Sequence, residues 1–218
     1  MTFRLPKAAC AALLLIAGLA GPAAAEAGQS APRISRAGEP NTAEDIRVLH
    51  EFSSCAARRD TARARSVLAM DFRTAAYQRR LLGLADDNRA CLASGQLRFS
   101  YVLFAGGMAE TLLRQDAGAG DLAARVAYDP ARPAIRARDE SEVMFLCTVR
   151  AAPEQVAALL RTDAASDREA ELLRELAPQA ARCLPEGSRV GLNRVGLRAL
   201  LALAAHRLSE HNLRTASR

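Results

Sequence analysis

Lysine is almost missing from this 218-residue chain, tryptophan is entirely missing, and aromatic residues make up only 4% of it. Lys7 is the sole lysine, so the positive charge rests almost wholly on arginine. A P-loop needs a lysine on its phosphates, and Schiff-base or Ser-Lys chemistry needs a lysine amine. The body of the chain supplies none of these. The shortage of aromatic residues removes the flat platforms on which bases and sugars stack. β-Branched residues are scarce and alternation is brief, so strand signals are poor throughout. What remains is 50% hydrophobic, mainly Ala and Leu, with 30 basic against 24 acidic residues. Small apolar residues suit closely packed helices, and the length suffices for a real core in one domain or two small ones.

The N-terminus reads as a targeting signal. Arg4 and Lys7 precede an apolar run from Ala8 to Ala20, followed by Gly21-Pro22-Ala23-Ala24-Ala25. A short positive end, a hydrophobic stretch and an A-x-A site describe a secretory signal peptide, with cleavage expected between Ala25 and Glu26. Ala25-Glu26-Ala27 offers a second site two residues later. The run is shorter than the ~20 apolar residues that span a bilayer. Cys10 lies too early to carry a lipid, and no twin-arginine pair is present. The expectation is export by the general secretory route to the periplasm or beyond, with no transmembrane anchor after processing. Losing Arg4 and Lys7 leaves 28 basic residues against 24 acidic ones, a charge of +4, and no lysine. Losing Cys10 leaves four cysteines, an even number that in an exported protein reads as disulfides. No C-x-x-C exists, which excludes a thioredoxin-type motif, a zinc knuckle and covalent haem attachment.

The cysteines expose a repeat. Cys55 to Cys91 spans 36 residues, and Cys147 to Cys183 spans 36 again. A shift of 92 superposes Arg58 on Arg150, Leu68 on Leu160, Asp71 on Asp163 and Leu84-Ala85 on Leu176-Ala177. Cys91-Leu92-x-x-Gly95 then falls on Cys183-Leu184-x-x-Gly187, making ten identities over 41 positions without a gap. Beyond Gly95 the halves need one extra residue of shift. This pattern reads as an internal duplication. Of three possible connectivities, the simplest duplicated one pairs Cys55 with Cys91 and Cys147 with Cys183.

Helical periodicity dominates both units. Thr42-x-x-Asp45 marks a helix start, and Ile46, Leu49 and Phe52 follow at helical spacing to Cys55. Pro153 suits a first turn before Val156, Leu159 and Leu160. Ser166-x-x-Glu169 reads as a capping box opening a helix to Cys183, and Thr74 opens its counterpart to Cys91. Closing helices are expected over 101–114 and 194–207. Leu122 to Ala127 is either one helical turn or a short strand. The fold class is therefore all-α, two homologous small bundles each stapled by a disulfide. The expected organisation is a signal peptide over 1–25, a flexible leader over 26–41, a unit over 42–115, a connector over 116–139, a second unit over 140–212 and a frayed tail over 213–218.

Candidates for chemistry are few. His50, His206 and His211 lack metal-ligand spacing and read as exposed or capping residues; no metal or cofactor is expected. Ser53-Ser54 lies on a helix without a paired base. Asp71 and Asp163 recur at one repeat position but fall between helices, where capping is their ordinary role. Glu110, in Ala105-Gly106-Gly107-Met108-Ala109-Glu110, suggests the general acid of a cell-wall glycan-cleaving enzyme, but its repeat partner is Leu203 and the aromatic platforms such a cleft wants are almost absent. The Gly106-Gly107 pair permits close helix contact or weakens the helix. Arg58-Arg59, Arg63, Arg65 and Arg79-Arg80 cluster in the first unit, with Arg132, Arg136 and Arg138 in the connector. Export argues against nucleic acid as their target, leaving an anionic envelope surface or an acidic protein as partner, or a plain solvated surface.

The Cys-x35-Cys-Leu-x-x-Gly unit followed by an Ala-rich helix, as in Cys183-Leu184-Pro185-Glu186-Gly187 and Arg198-Ala199-Leu200-Leu201-Ala202, resembles functionally uncharacterised exported helical proteins of alphaproteobacteria. The resemblance implies an exported helical fold and transfers no catalytic residue. The sequence thus points to a structural or interaction module of the envelope without an identifiable catalytic site, with an envelope hydrolase using a carboxylate as the alternative. Non-reducing peptide mapping should recover a Cys55–Cys91 and a Cys147–Cys183 peptide; a Cys55–Cys147 peptide would overturn the pairing.

Overall fold

The computed structural model describes residues 33–35, 42–93, 96–116, 121–184 and 193–216. The expected signal peptide, its Ala25–Glu26 cleavage site, Gly95 and Gly187 lie outside them. The first half comprises α1 (Ala43–Arg59), α2 (Thr61–Ala69), α3 (Ala75–Asp87), a 3-10 turn (Arg89–Cys91) and α4 (Tyr101–Gln115). A short α5 (Leu122–Val126) leads to α6 (Glu140–Ala151), α7 (Pro153–Arg161), α8 (Asp167–Arg182) and α9 (Arg194–Ala216). The architecture is all-α. Its one β feature among the described residues is a three-residue parallel pair, β1 (Arg33–Ser35) beside β2 (Gln96–Arg98), with Ile34 opposite Leu97.

Local chemistry explains the boundaries. Thr42 Oγ1 accepts from the Asp45 N–H at 3.0 Å, and Asp45 accepts from the Thr42 N–H at 3.2 Å, closing a capping box. Ser166 Oγ accepts from the Glu169 N–H at 3.2 Å, but Glu169 reaches past Ser166 to the Ala165 N–H at 3.0 Å. That bond holds Ala165 at φ 62°, a left-handed conformation that a Cβ disfavours. Pro153 occupies the first position of α7, where its missing N–H costs nothing. The helix opened by Thr74 stops at Asp87 instead of reaching Cys91. Asn88 Nδ2 donates to the Leu84 carbonyl at 2.9 Å, and the chain tightens into the 3-10 turn.

Four helix boundaries repeat under the shift of 92 residues. Helices α1 and α6 end at Arg59 and Ala151, α2 and α7 span 61–69 and 153–161, and α3 and α8 start at Ala75 and Asp167. Each half also closes its own disulfide, Cys55–Cys91 and Cys147–Cys183, with Cα atoms 5.7 Å apart in both. Closing a loop of this length contributes about 3–4 kcal/mol on the chain-entropy account.

The two halves nevertheless share one core. Every residue of α4 from Leu103 to Leu113 is buried, because α1 covers one side of it and α9 another. Phe52, Phe99 and Phe104 form a tilted aromatic cluster under α1, with centroids 5.0–6.4 Å apart. The glycine pair is a contact device. A Cβ on Gly106 would lie 2.5 Å from Ala199 Cβ and 2.6 Å from its Cα, and one on Gly107 would lie 2.6 Å from Ser53 Cβ. Gly106 and Ala199 correspond under the 93-residue shift, so equivalent positions of the two halves meet each other.

Expected loops differ in three places. Residues 33–35, assigned to a flexible leader, form the strand against β2. The undecided segment after Asp121 is helical, and Arg125 within it is buried, donating to Ser209 Oγ at 3.0 Å and the Leu113 carbonyl at 3.2 Å. Residues 213–216, assigned to a frayed tail, continue α9, which Asn212 anchors by donating to the Arg125 carbonyl at 2.7 Å. No single described helix is long and apolar enough to cross a membrane.

Gly106→Ala should destabilise the protein by about 1–3 kcal/mol or more, because the added methyl meets backbone. Gly83→Ala should be nearly neutral or stabilising, since its Cβ would meet only the mobile end of Arg63 at 2.9 Å. Urea unfolding of the two variants measures the contrast.

Candidate functional site

Two constellations lie between the halves: a buried ionic network and a cavity. The network begins on α4. Glu110 is 1% exposed and faces Arg198 of α9, itself 4% exposed. Arg198 grips it with both sides of its fork, Nε to Oε2 at 3.0 Å and Nη2 to Oε1 at 2.6 Å. Arg198 Nη1 reaches Glu169 at 3.1 Å and Thr162 Oγ1 at 3.0 Å, and Nη2 also donates to the Thr162 carbonyl. Arg194 closes on Glu169 from the exposed side, and Arg114 on Glu110. His50 of α1 places Nε2 3.1 Å from Glu110 Oε1, poorly aligned for a hydrogen bond.

This geometry decides the chemistry of Glu110. Burial pushes its carboxyl up, but His50 and Arg198 more than offset that and hold it at about 2. A carboxylate with that affinity is ionised at neutral pH and has no proton to donate as a general acid. Arg198 is correspondingly raised, burial being outweighed by Glu110 and Glu169. The arrangement joins α4, α8 and α9 by charge.

The other candidate residues separate. Asp71 and Asp163 are not brought together and keep equivalent turn positions: the Asp71 carbonyl accepts from Thr74 Oγ1 at 2.8 Å, and the Asp163 carbonyl accepts from Ser166 Oγ at 2.7 Å. Hydrogen bonds from the Arg73 side chain and N–H hold the Asp71 carboxyl well below the usual carboxylate range. Ser53 Oγ is spent on the Leu49 carbonyl. His211 is half-buried and contacts the Pro133 carbonyl at 2.7 Å. His206, read from sequence as exposed or capping, is instead buried on the inner face of α9 with no partner for Nε2 among the described residues. Burial first, then the Arg65 charge, lowers it to about 4. No group of His, Cys, Asp and Glu among the described residues could hold a metal ion.

Some of the clustered arginines are paired with acids. Arg63 meets Asp87 at 2.6 Å, and Arg65 bridges Asp116 at 2.5 Å and Glu210 at 2.9 Å. Arg132 meets Asp129 at 3.0 Å. Arg79 and Arg80 are exposed on α3.

The cavity is about 430 Å³, within the range of small-ligand pockets. Its walls come from both halves: Leu68, Met70, Phe72 and Tyr77 on one side, Phe145, Leu200, Leu203 and His206 on the other. Tyr101 and Val102 flank it at the start of α4, and Arg138, Glu142 and Arg207 stand at its polar edge. Comparison of the chain with protein-family models, with curated proteins and with solved structures finds no match.

Sequence reasoning missed Arg198 and Glu169 as partners of Glu110. A signal existed: each closing helix carries one charged residue inside an apolar run, and the two signs are opposite. It missed the cavity because four separate segments build it.

Glu110→Gln should cost roughly 3 kcal/mol, and Arg198→Met more, since the latter strands Glu110 and Glu169 without their shared cation. Acid should weaken the fold in two windows. The fold holds His206 neutral, so the unfolded chain takes that proton first and stability falls from pH 6.5 towards 4. Glu110 contributes fully above pH 4.5, and its share, about 3 kcal/mol, is lost as pH drops through about 2. His206→Leu should flatten the upper window only, and Glu110→Gln the lower one, in denaturation midpoints measured against pH.

Proposed function

We propose that the protein is an exported structural or interaction module of the cell envelope, acting by recognition through a prebuilt helical scaffold. The observation that carries this reading is the pair of disulfides, one within each half. Disulfides of this kind persist in oxidising compartments outside the cytoplasm. The apolar N-terminal run with its A-x-A site supplies the route, general secretion, and the periplasm as the destination. Glu110 supports the same reading from the other side, since it is spent as a buried ion-pair partner.

We also infer that the two halves descend from one duplicated unit. The matching helix boundaries, the equal disulfide spans and the meeting of Gly106 with Ala199 all support it. A contact between equivalent positions is how two copies of one unit associate across a two-fold axis. The scaffold would then be a covalent version of a helical dimer, rigid enough to present a fixed surface to an envelope partner.

Fractionation of cells expressing the full chain tests the proposal. The expected result is a processed protein beginning at Glu26 in the periplasmic fraction, with both disulfides intact and no free thiol. Recovery of the unprocessed chain with reactive thiols in the cytoplasm would overturn it. A hydrolytic activity on envelope material lost in Glu110→Gln, Asp71→Asn or Asp163→Asn, with folding retained, would overturn the recognition reading.

A further inference from the structure

We propose that the cavity between the halves binds a single-chain anionic amphiphile, a long-chain alkyl carboxylate, with its tail along Phe145, Leu200 and Leu203 and its head at Arg138. The proposal concerns the folded chain itself and does not depend on where the protein resides.

Three observations lead to it. The cavity is roomy, about 430 Å³, and its inner wall is aliphatic and aromatic. A chain of methylenes fills such a space at a gain of about 0.8 kcal/mol each, roughly fourfold in affinity. The inner wall also holds a polar group left unused by the protein. His206 Nε2 has no hydrogen-bond partner among the described residues, although the residue is 5% exposed. Buried polar groups are ordinarily satisfied, so this nitrogen indicates a missing polar partner at the cavity.

The third observation is how charge is placed at the mouth. Arg138 and Arg207 face Asp139 and Glu142, so the four formal charges balance. Their hydrogen-bonding capacity does not. Asp139 Oδ1 caps α6 by accepting from the Glu142 N–H at 2.8 Å. Glu142 accepts from the Arg138 backbone N–H at 2.6 Å and closes on the Arg207 guanidinium. Both acids are thereby engaged. The Arg138 guanidinium donates to one carbonyl, that of Ala69 at 3.2 Å, and lies 3.8 Å from Glu142. Most of its five N–H donors remain uncommitted. Burial, then the neighbouring Arg207 charge, disfavours its protonated form, a cost that a bound anion relieves. A planar carboxylate matches the guanidinium fork.

Calorimetric titration of the purified, disulfide-intact protein with octyl to dodecyl carboxylates, below their micelle concentrations, tests this. Saturable one-to-one binding is expected, tightening roughly 250-fold over four added methylenes. Dodecyl trimethylammonium should bind at least tenfold more weakly than the carboxylate of equal chain length. Arg138→Gln should lower carboxylate affinity at least tenfold and leave binding of the uncharged alkyl alcohol unchanged. Leu203→Trp, which fills the cavity, should abolish both. If that variant fails to fold, the head-group series on the unaltered protein still decides. Absence of saturable binding, indifference to chain length, or equal affinity for the cationic amphiphile would overturn the proposal. Tighter binding of a zwitterionic single-chain phospholipid would overturn the assignment of the head group.

Discussion

The crossing of α4 and α9 is the contact on which the rest of this structure depends. At its centre Gly106 has no Cβ, and Ala199 occupies the space one would need. The helices therefore approach almost to backbone contact, which brings Glu110, four residues further along α4, within reach of Arg198. In a medium of low dielectric, two opposite charges with a forked pair of hydrogen bonds repay much of their desolvation only if the geometry is close. The small residues supply that closeness. The ion pair in return penalises every arrangement of the halves that leaves either charge unmatched.

The disulfides act at a different level. Each closes a loop within its own half and limits the unfolded chain, but neither crosses between halves. Their relation is left to non-covalent contact: the glycine seat, the ionic network, and Arg125 tying α5 to α4 and α9. The cavity follows from the same division of labour. Where Gly107 lets α1 close against α4 at Ser53, the equivalent positions in the second half are Leu200 and Phe145, which line the cavity wall.

Much of the fold was legible in the sequence because its determinants are local. Thr42, Asp60, Thr74, Asp139 and Ser166 each cap a helix within three residues of themselves. The equal spacing of Cys55–Cys91 and Cys147–Cys183 made the pairing readable as well. The failures have a common cause. Residues 213–216 and 122–126 look polar or short, and the partners that order them lie far along the chain: Asn212 binds the Arg125 carbonyl, 87 residues away. His206 looks like a surface residue until the other half covers it. Glu110 stood out as a lone acid in an apolar helix, but its charge-matching partner is 88 residues distant.

The sequence by itself determined the helices, their caps, the disulfide register and the absence of lysine chemistry. These rest on residue types and on spacings that the backbone converts directly into geometry. Only the tertiary structure decided that the two halves share one core, that Glu110 is a buried ion-pair partner, and that a cavity opens with Arg138 at its mouth. Those properties belong to distances between segments that carry no short-range signal. They are set by which surfaces the packing excludes from water.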